Sequence, residues 1–245
     1  MWRPAGPFLA SPVVHASVVS GRAGSHIGAN MPVEVVTQPT EEPVSLEDAK
    51  EHLRVEVSAE DKLIARMITD ARQWAENYTR RAFVPQTWKL WARQFPSSGF
   101  NQDGESRIIP PNREFLAEAI QLPGGRVASV SSVSFVASDG TQQNLSAADY
   151  QLESRDPWKP SIVLPAYGTS WPSTRDQPSA VQIQYVVGYA STAAVPSVIR
   201  QAILLHVGWS YANREPKAFG TTGADAQMMA ALQMKLADYR LFEFA

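Results

Sequence analysis

Residues 180–215 read AVQIQYVVGYASTAAVPSVIRQAILLHVGWSYANRE, and this stretch decides the fold because its hydrophobic period changes part-way along. From Ala180 to Val187 the period is two. Val181, Ile183, Tyr185 and Val187 fall on one face and Gln182 and Gln184 on the other, the pattern of a half-buried strand that Gly188 closes. Pro196 then stands where a helix begins, since its fixed φ and missing N–H suit the first helical position, and the helix is expected to run to about Asn213. Val198, Ile199, Ile203, Leu204, Leu205, Val207, Trp209 and Tyr211 surround most of its circumference. Such a helix is expected to be buried on several sides, at a bundle centre or against another subunit. Leu205 and Trp209 share one side of it and are assigned to the bundle core or to an oligomer interface.

Toward the C-terminus, Asp225 opens a last helix with Met228, Leu232, Leu236 and Tyr239 on one face. Beyond that stripe, Leu241, Phe242 and Phe244 are apolar groups at a chain end, where a monomer rarely hides them. Tyr239, Arg240, Leu241, Phe242 and Phe244 are therefore assigned to docking on a partner, with folding back onto the subunit's own bundle as the alternative.

Toward the N-terminus, Ser45 and Asp48 have capping-box spacing ahead of a short helix carrying Leu46, Ala49 and Leu53. Ser58 and Asp61 repeat the cap before a long amphipathic helix whose stripe is Ile64, Met67, Ile68, Ala71, Trp74, Ala75 and Tyr78. Arg72 with Glu76 and Glu76 with Arg80 have i,i+4 spacing on it. From Pro85 the period becomes two, with Thr87, Lys89 and Trp91 alternating with Trp88 and Leu90. Residues 96–114 read as an exposed loop. Val127 to Val136 form a strand, Asp139 and Gly140 supply a hairpin turn, and short strands follow near Tyr150 to Leu152 and Ile162 to Leu164.

The order predicts an α+β fold, a bundle of two N-terminal and two C-terminal helices interrupted by a mostly antiparallel β domain. The expected divisions are a flexible N-terminal arm or extension at 1–42, N-terminal bundle helices at 43–84, an inserted β domain at 85–190, and C-terminal helices with a docking tail at 191–245.

Composition narrows the function. With 22 basic and 24 acidic residues the formal charge is -2, so no global field draws the chain to nucleic acid or an anionic membrane. The absence of cysteine excludes disulfides and thiolate chemistry. The most apolar run, Ala202 to Ala212, is interrupted by His206 and is shorter than the roughly 20 residues that span a bilayer. His15, His26, His52 and His206 have no partner at metal-ligand spacing, and Ser170 lacks the second glycine of a nucleophile elbow. Gly124 and Gly125 precede a strand, so they suit a turn and not a phosphate loop. No cofactor, metal or catalytic constellation is expected. Trp74 and Trp88 read as core, whereas Trp158 and Trp171, in Pro-rich loops, are assigned to an interface or the core.

The passages PVSLEDAKEHLRV at 43–55, AENYTRRAFVPQTW at 75–88 and the strand-to-helix stretch at 180–215, with LADYR at 236–240, resemble the head-tail connector (adaptor) family of long-tailed phages. The likeness is to the branch with an inserted β domain and covers about residues 33–245. Asp238 stands where the family pattern leads one to expect proline. The resemblance implies a structural protein of the virion neck, made in the host cytoplasm and built into a ring, commonly of twelve copies. It implies docking on the portal, contact with an adjoining tail or stopper protein, and passage of double-stranded DNA without sequence-specific binding or any membrane. Head-to-tail contacts that close on rotation give such a ring. A tail-completion or decoration module is the alternative, and a tail-associated hydrolase a more distant one.

Overall fold

The structure is a computed structural model that describes residues 32–97, 118–155, 159–214 and 222–241. Most of the 96–114 loop assignment, Trp158, Phe242, Phe244, His15 and His26 lie outside the described residues.

Four α-helices carry the expected stripes: α1 Leu46–Leu53, α2 Asp61–Thr79, α3 Ser197–Ala212 and α4 Thr222–Leu236. The Ser45 hydroxyl accepts from the Asp48 N–H at 3.0 Å, so the first cap forms as its spacing requires. Pro196 sits at the N-cap of α3, one residue before the helix, and α4 starts three residues ahead of Asp225. Ile64, Ile68, Ala71 and Ala75 of α2 meet Ile199, Ile203 and Val207 of α3 and Leu232 and Leu236 of α4 in one core, which Phe83 and Val84 close from below. Helices far apart in sequence thus share one interior.

The strands are β1 Val33–Thr37, β2 Gln86–Ala92, β3 Ile120–Leu122, β4 Val127–Val136, β5 Gln142–Asn144, β6 Tyr150–Glu153, β7 Ser161–Pro165 and β8 Val181–Val187. They make an antiparallel five-stranded sheet in the order β1-β2-β8-β4-β5 and a three-stranded sheet β3-β7-β6. In β8 the period-two reading holds position by position: Val181, Ile183, Tyr185 and Val187 are buried and Gln182 and Gln184 half-buried. Leu90, Val133, Phe135 and Ile183 pack with Ile120, Leu122 and Val163 in a second core. The hairpin turn is held by the Asp139 carboxylate, which accepts from Thr141 N–H and hydroxyl at 2.9 and 2.7 Å.

The α+β expectation stands. The arm at 1–42 is corrected over its last part, because Val33–Thr37 pairs with β2, Val33 opposite Leu90 and Val35 opposite Trp88. A five-residue strand at a sheet edge takes its identity from the partner strand, which local sequence does not display.

Candidate assembly surfaces

The residues singled out from sequence do not form one surface. Leu205 is 36% exposed on α3 and lies outside the core, so its assignment to the bundle interior is corrected; the buried face of that helix is Ile199, Ala202, Ile203 and Val207. Trp209 is half-buried, edge-on to the His206 ring at 6.2 Å. A helix apolar nearly all round gives no direction of its own, and α1, α2 and α4 cover only part of it. Leu205→Asp is therefore expected to change folding stability by less than about 1 kcal/mol, the range of an ordinary surface substitution. Denaturant titration checks this, and a loss of several kcal/mol would return Leu205 to the interior.

Trp171 packs within its own subunit, though not in the bundle. Its ring stacks on Phe95 at 4.7 Å and its indole N–H donates to the Glu118 carbonyl at 2.7 Å, so it packs half-buried against the core of the β region. Of the residues assigned to docking, Leu241 folds back onto its own subunit, whereas Tyr239 is half-buried and Arg240 exposed. Leu241 is 5% exposed and its N–H donates to the Thr79 carbonyl at 2.9 Å. The Arg81 guanidinium donates to the Tyr239 carbonyl, and the Arg240 guanidinium lies 5.5 Å from the Tyr78 ring centre. The Thr79 carbonyl in the last turn of α2, which has no partner within its own helix, supplies an acceptor for the returning chain, a requirement that the apolar composition of 241–245 does not reveal.

A buried polar network is built around the Arg72–Glu76 pair. Arg72 is 3% exposed and its Nε donates to Glu42 at 2.7 Å, while its Nη1 donates to Glu76 at 2.6 Å. Glu76 also accepts from the Phe83 N–H at 2.7 Å and the Gln86 side-chain amide at 2.8 Å. Burial pushes the Glu76 carboxyl up against the pull of Arg72 and these donors; burial alone would lower Arg72, but Glu42 and Glu76 outweigh it and hold the guanidinium above its ordinary value. This network ties the 42–44 segment, α2 and the start of β2 together. It is a joint between helices and sheet, and Glu42 also lines an open groove along α2. Arg72 and Glu76 were recognisable as an i,i+4 pair, but spacing reports reach and not burial.

His206 lies 5.2 Å from the Trp74 ring and 3.4 Å from the Ser210 hydroxyl, and burial lowers its pKa against the opposing charge of Asp70. Ser170 is exposed in a loop. Gly124 and Gly125 have positive φ at a turn against Trp88 and Arg81. Among the described residues no three His, Asp or Glu side chains are grouped to hold a metal, and no helix is long and apolar enough to cross a membrane.

Two shallow grooves flank the helices. One lies between α1 and α3 beside His52, Arg200 and Leu204; the other runs along α2 beside Glu41, Leu46, Ala65 and Thr69.

Residues 43–112 match the family model described as phage gp6-like head-tail connector protein. The matched region includes α1, α2 and β2. In overall fold the chain is similar to a chain in the neck of an empty gene transfer agent (GTA) particle computed with C6 symmetry, with a TM-score of 0.63 and 21% identity over 88% of this chain and 98% of that one. It is similar too to a chain in the virion of a native gene transfer agent particle, TM-score 0.62 at 19% identity, covering 87% of this chain and 97% of that one. A third likeness is to a chain in the neck of a native GTA particle computed with C12 symmetry, TM-score 0.57 at 20% identity, covering 88% and 98%. The comparison with curated proteins gave no match. The connector resemblance read from the sequence and the neck-particle likeness of the fold agree.

Proposed function

We propose that this chain is a structural subunit of a virion neck, a head-tail connector that closes into a ring of about twelve copies, docks on the portal and leads DNA toward the tail. The observation that carries the reading is the coincidence of the connector family match at 43–112 with a fold likeness to neck chains over nearly nine-tenths of the molecule. Physical chemistry supports it at three points. A formal charge of -2 suits a channel wall along which DNA slides, since many phosphate contacts would retain it. The polar groups placed in the interior are used in joints and not in a reaction centre. Leu205, 36% exposed, and Met234, 79% exposed, leave apolar side chains uncovered on the helical side of a single copy. The helices of 43–84 and 191–245 would form one unit of the ring wall and the β region, extended by β1, the other.

Imaging decides the matter. Purified full-length protein should give rings with a central channel, and labelled antibody should mark virions at the head-tail junction. Label on the capsid faces or along the tail tube would overturn the proposal.

A further inference from the structure

The outer surface of α4 is built unlike the outer surface of an ordinary amphipathic helix. Leu232 and Leu236 point into the bundle, while Ala226, Ala230, Ala231 and Met234 are exposed, and Asp225 and Lys235 are the only charged residues in the helix. Met234 is thus a long apolar side chain standing above a floor of alanines. Lys235 beside it has one weak contact, a 3.4 Å hydrogen bond to the Gln201 side chain.

The counterpart lies elsewhere on the same chain. Val44, Leu46, Ala65, Ile68 and Thr69 line a groove of about 440 Å³ along α2, with Glu41 at its rim. Glu41 is exposed and makes no ion pair among the described residues, whereas its neighbour Glu42 is committed to Arg72. The groove sits on the Thr69 flank of α2. Trp74, five positions on and so about 140° round the helix, marks the flank that meets α3, beside which α4 packs. No residue of α4 lines the groove, so knob and groove are separate patches on one copy.

We propose that Met234 of one copy seats in the α2 groove of a second copy, with Lys235 paired to Glu41 across the contact. This inference rests on the ring reading and supplies one contact by which copies join. A head-to-tail interface needs two different, complementary patches on every subunit, and a ring results when the rotation closes. An unbranched methionine adapts to a groove floored by Val44 and Ile68, and the Lys–Glu pair fixes orientation and disfavours a wrong register.

The chain has no cysteine, so a disulfide trap is free of background. In the full-length protein carrying both Met234→Cys and Ala65→Cys, oxidation at assembling concentration should give a ladder of covalent oligomers that rises to the ring number. Each single variant should stop at the dimer or below. As an independent readout, Lys235→Glu should weaken self-association by about tenfold or more, and adding Glu41→Lys should restore it to within about threefold. Rings that form without a ladder, or a Lys235→Glu protein that assembles normally, overturn this contact and leave the ring reading intact. Protein that neither assembles nor cross-links at any concentration overturns both.

Discussion

Gly188→Ala is expected to destabilise the protein by about 3 kcal/mol or more, the size of effect reserved for backbone strain combined with overpacking. Gly188 has φ +120°, a conformation that side-chain-bearing residues rarely adopt. A Cβ added there would stand 2.4 Å from the Val84 carbonyl oxygen and 2.6 Å from its carbon. Those atoms are backbone, so no rotamer change relieves the clash. The position also explains why the approach is so close. Val84 and Pro85 lead the chain from α2 into β2, and Gly188 ends β8 on its way to α3, so two of the crossings between bundle and sheet touch at this point. Its N–H is already committed to the Arg126 carbonyl at 3.1 Å, which prevents it from drifting outward. Gly168→Ala provides the control, because φ there is +77° but nothing lies within 4 Å of the added carbon, leaving a conformational cost of about 1–2 kcal/mol. Urea midpoints for the two variants at unchanged m-value test the contrast. Equal losses would mean that the crossing is not tightly packed.

Gly188 was legible as the end of a strand but not as a contact between crossings, and the same division runs through the molecule. Long periodic segments such as Val181–Val187 and Ser197–Ala212 declare their type, since a period of two or 3.6 is a local property of the chain. Ile120–Leu122 and Val33–Thr37 do not. At three and five residues they are strands because β7 and β2 pair with them, and that information lies far along the chain. The assembly surfaces were harder for a related reason. Leu205, Trp171 and Leu241 are all visibly apolar, and apolarity says that a residue will be covered without saying by what. In the fold Trp171 and Leu241 are covered by their own subunit and Leu205 is not. Met234 was passed over because it falls off the Leu232 and Leu236 stripe, yet being off the buried stripe is what a contact residue requires.

Arg72→Met should cost about 3–5 kcal/mol at neutral pH, because methionine fills much of the aliphatic volume while two carboxylates lose the cation that justifies their burial. Glu76 is the more exposed to this loss: its side chain is 12% accessible, against 28% for Glu42, which can turn to water. The remaining donors to Glu76, the Phe83 N–H and the Gln86 amide, are neutral and cannot replace a guanidinium. The dependence on pH separates this account from simple loss of packing. Burial already raises the Glu76 pKa in the native protein with Arg72 pulling it down, so removing Arg72 raises it further. A carboxyl whose folded pKa exceeds its unfolded one stabilises the fold below the unfolded value and loses that contribution as pH rises through the folded value. The deficit of Arg72→Met relative to the parent should therefore be largest near pH 7 and shrink as pH falls toward 4.5, the ordinary glutamate value. Combining Arg72→Met with Glu76→Gln should recover part of the loss at pH 7, since the amide oxygen still accepts from Phe83 and Gln86 while no charge is left buried. Guanidinium-induced unfolding at several pH values measures both effects. A deficit that is flat with pH, or a double variant that simply adds the two single losses, would show that Arg72 holds the joint by packing and not by charge.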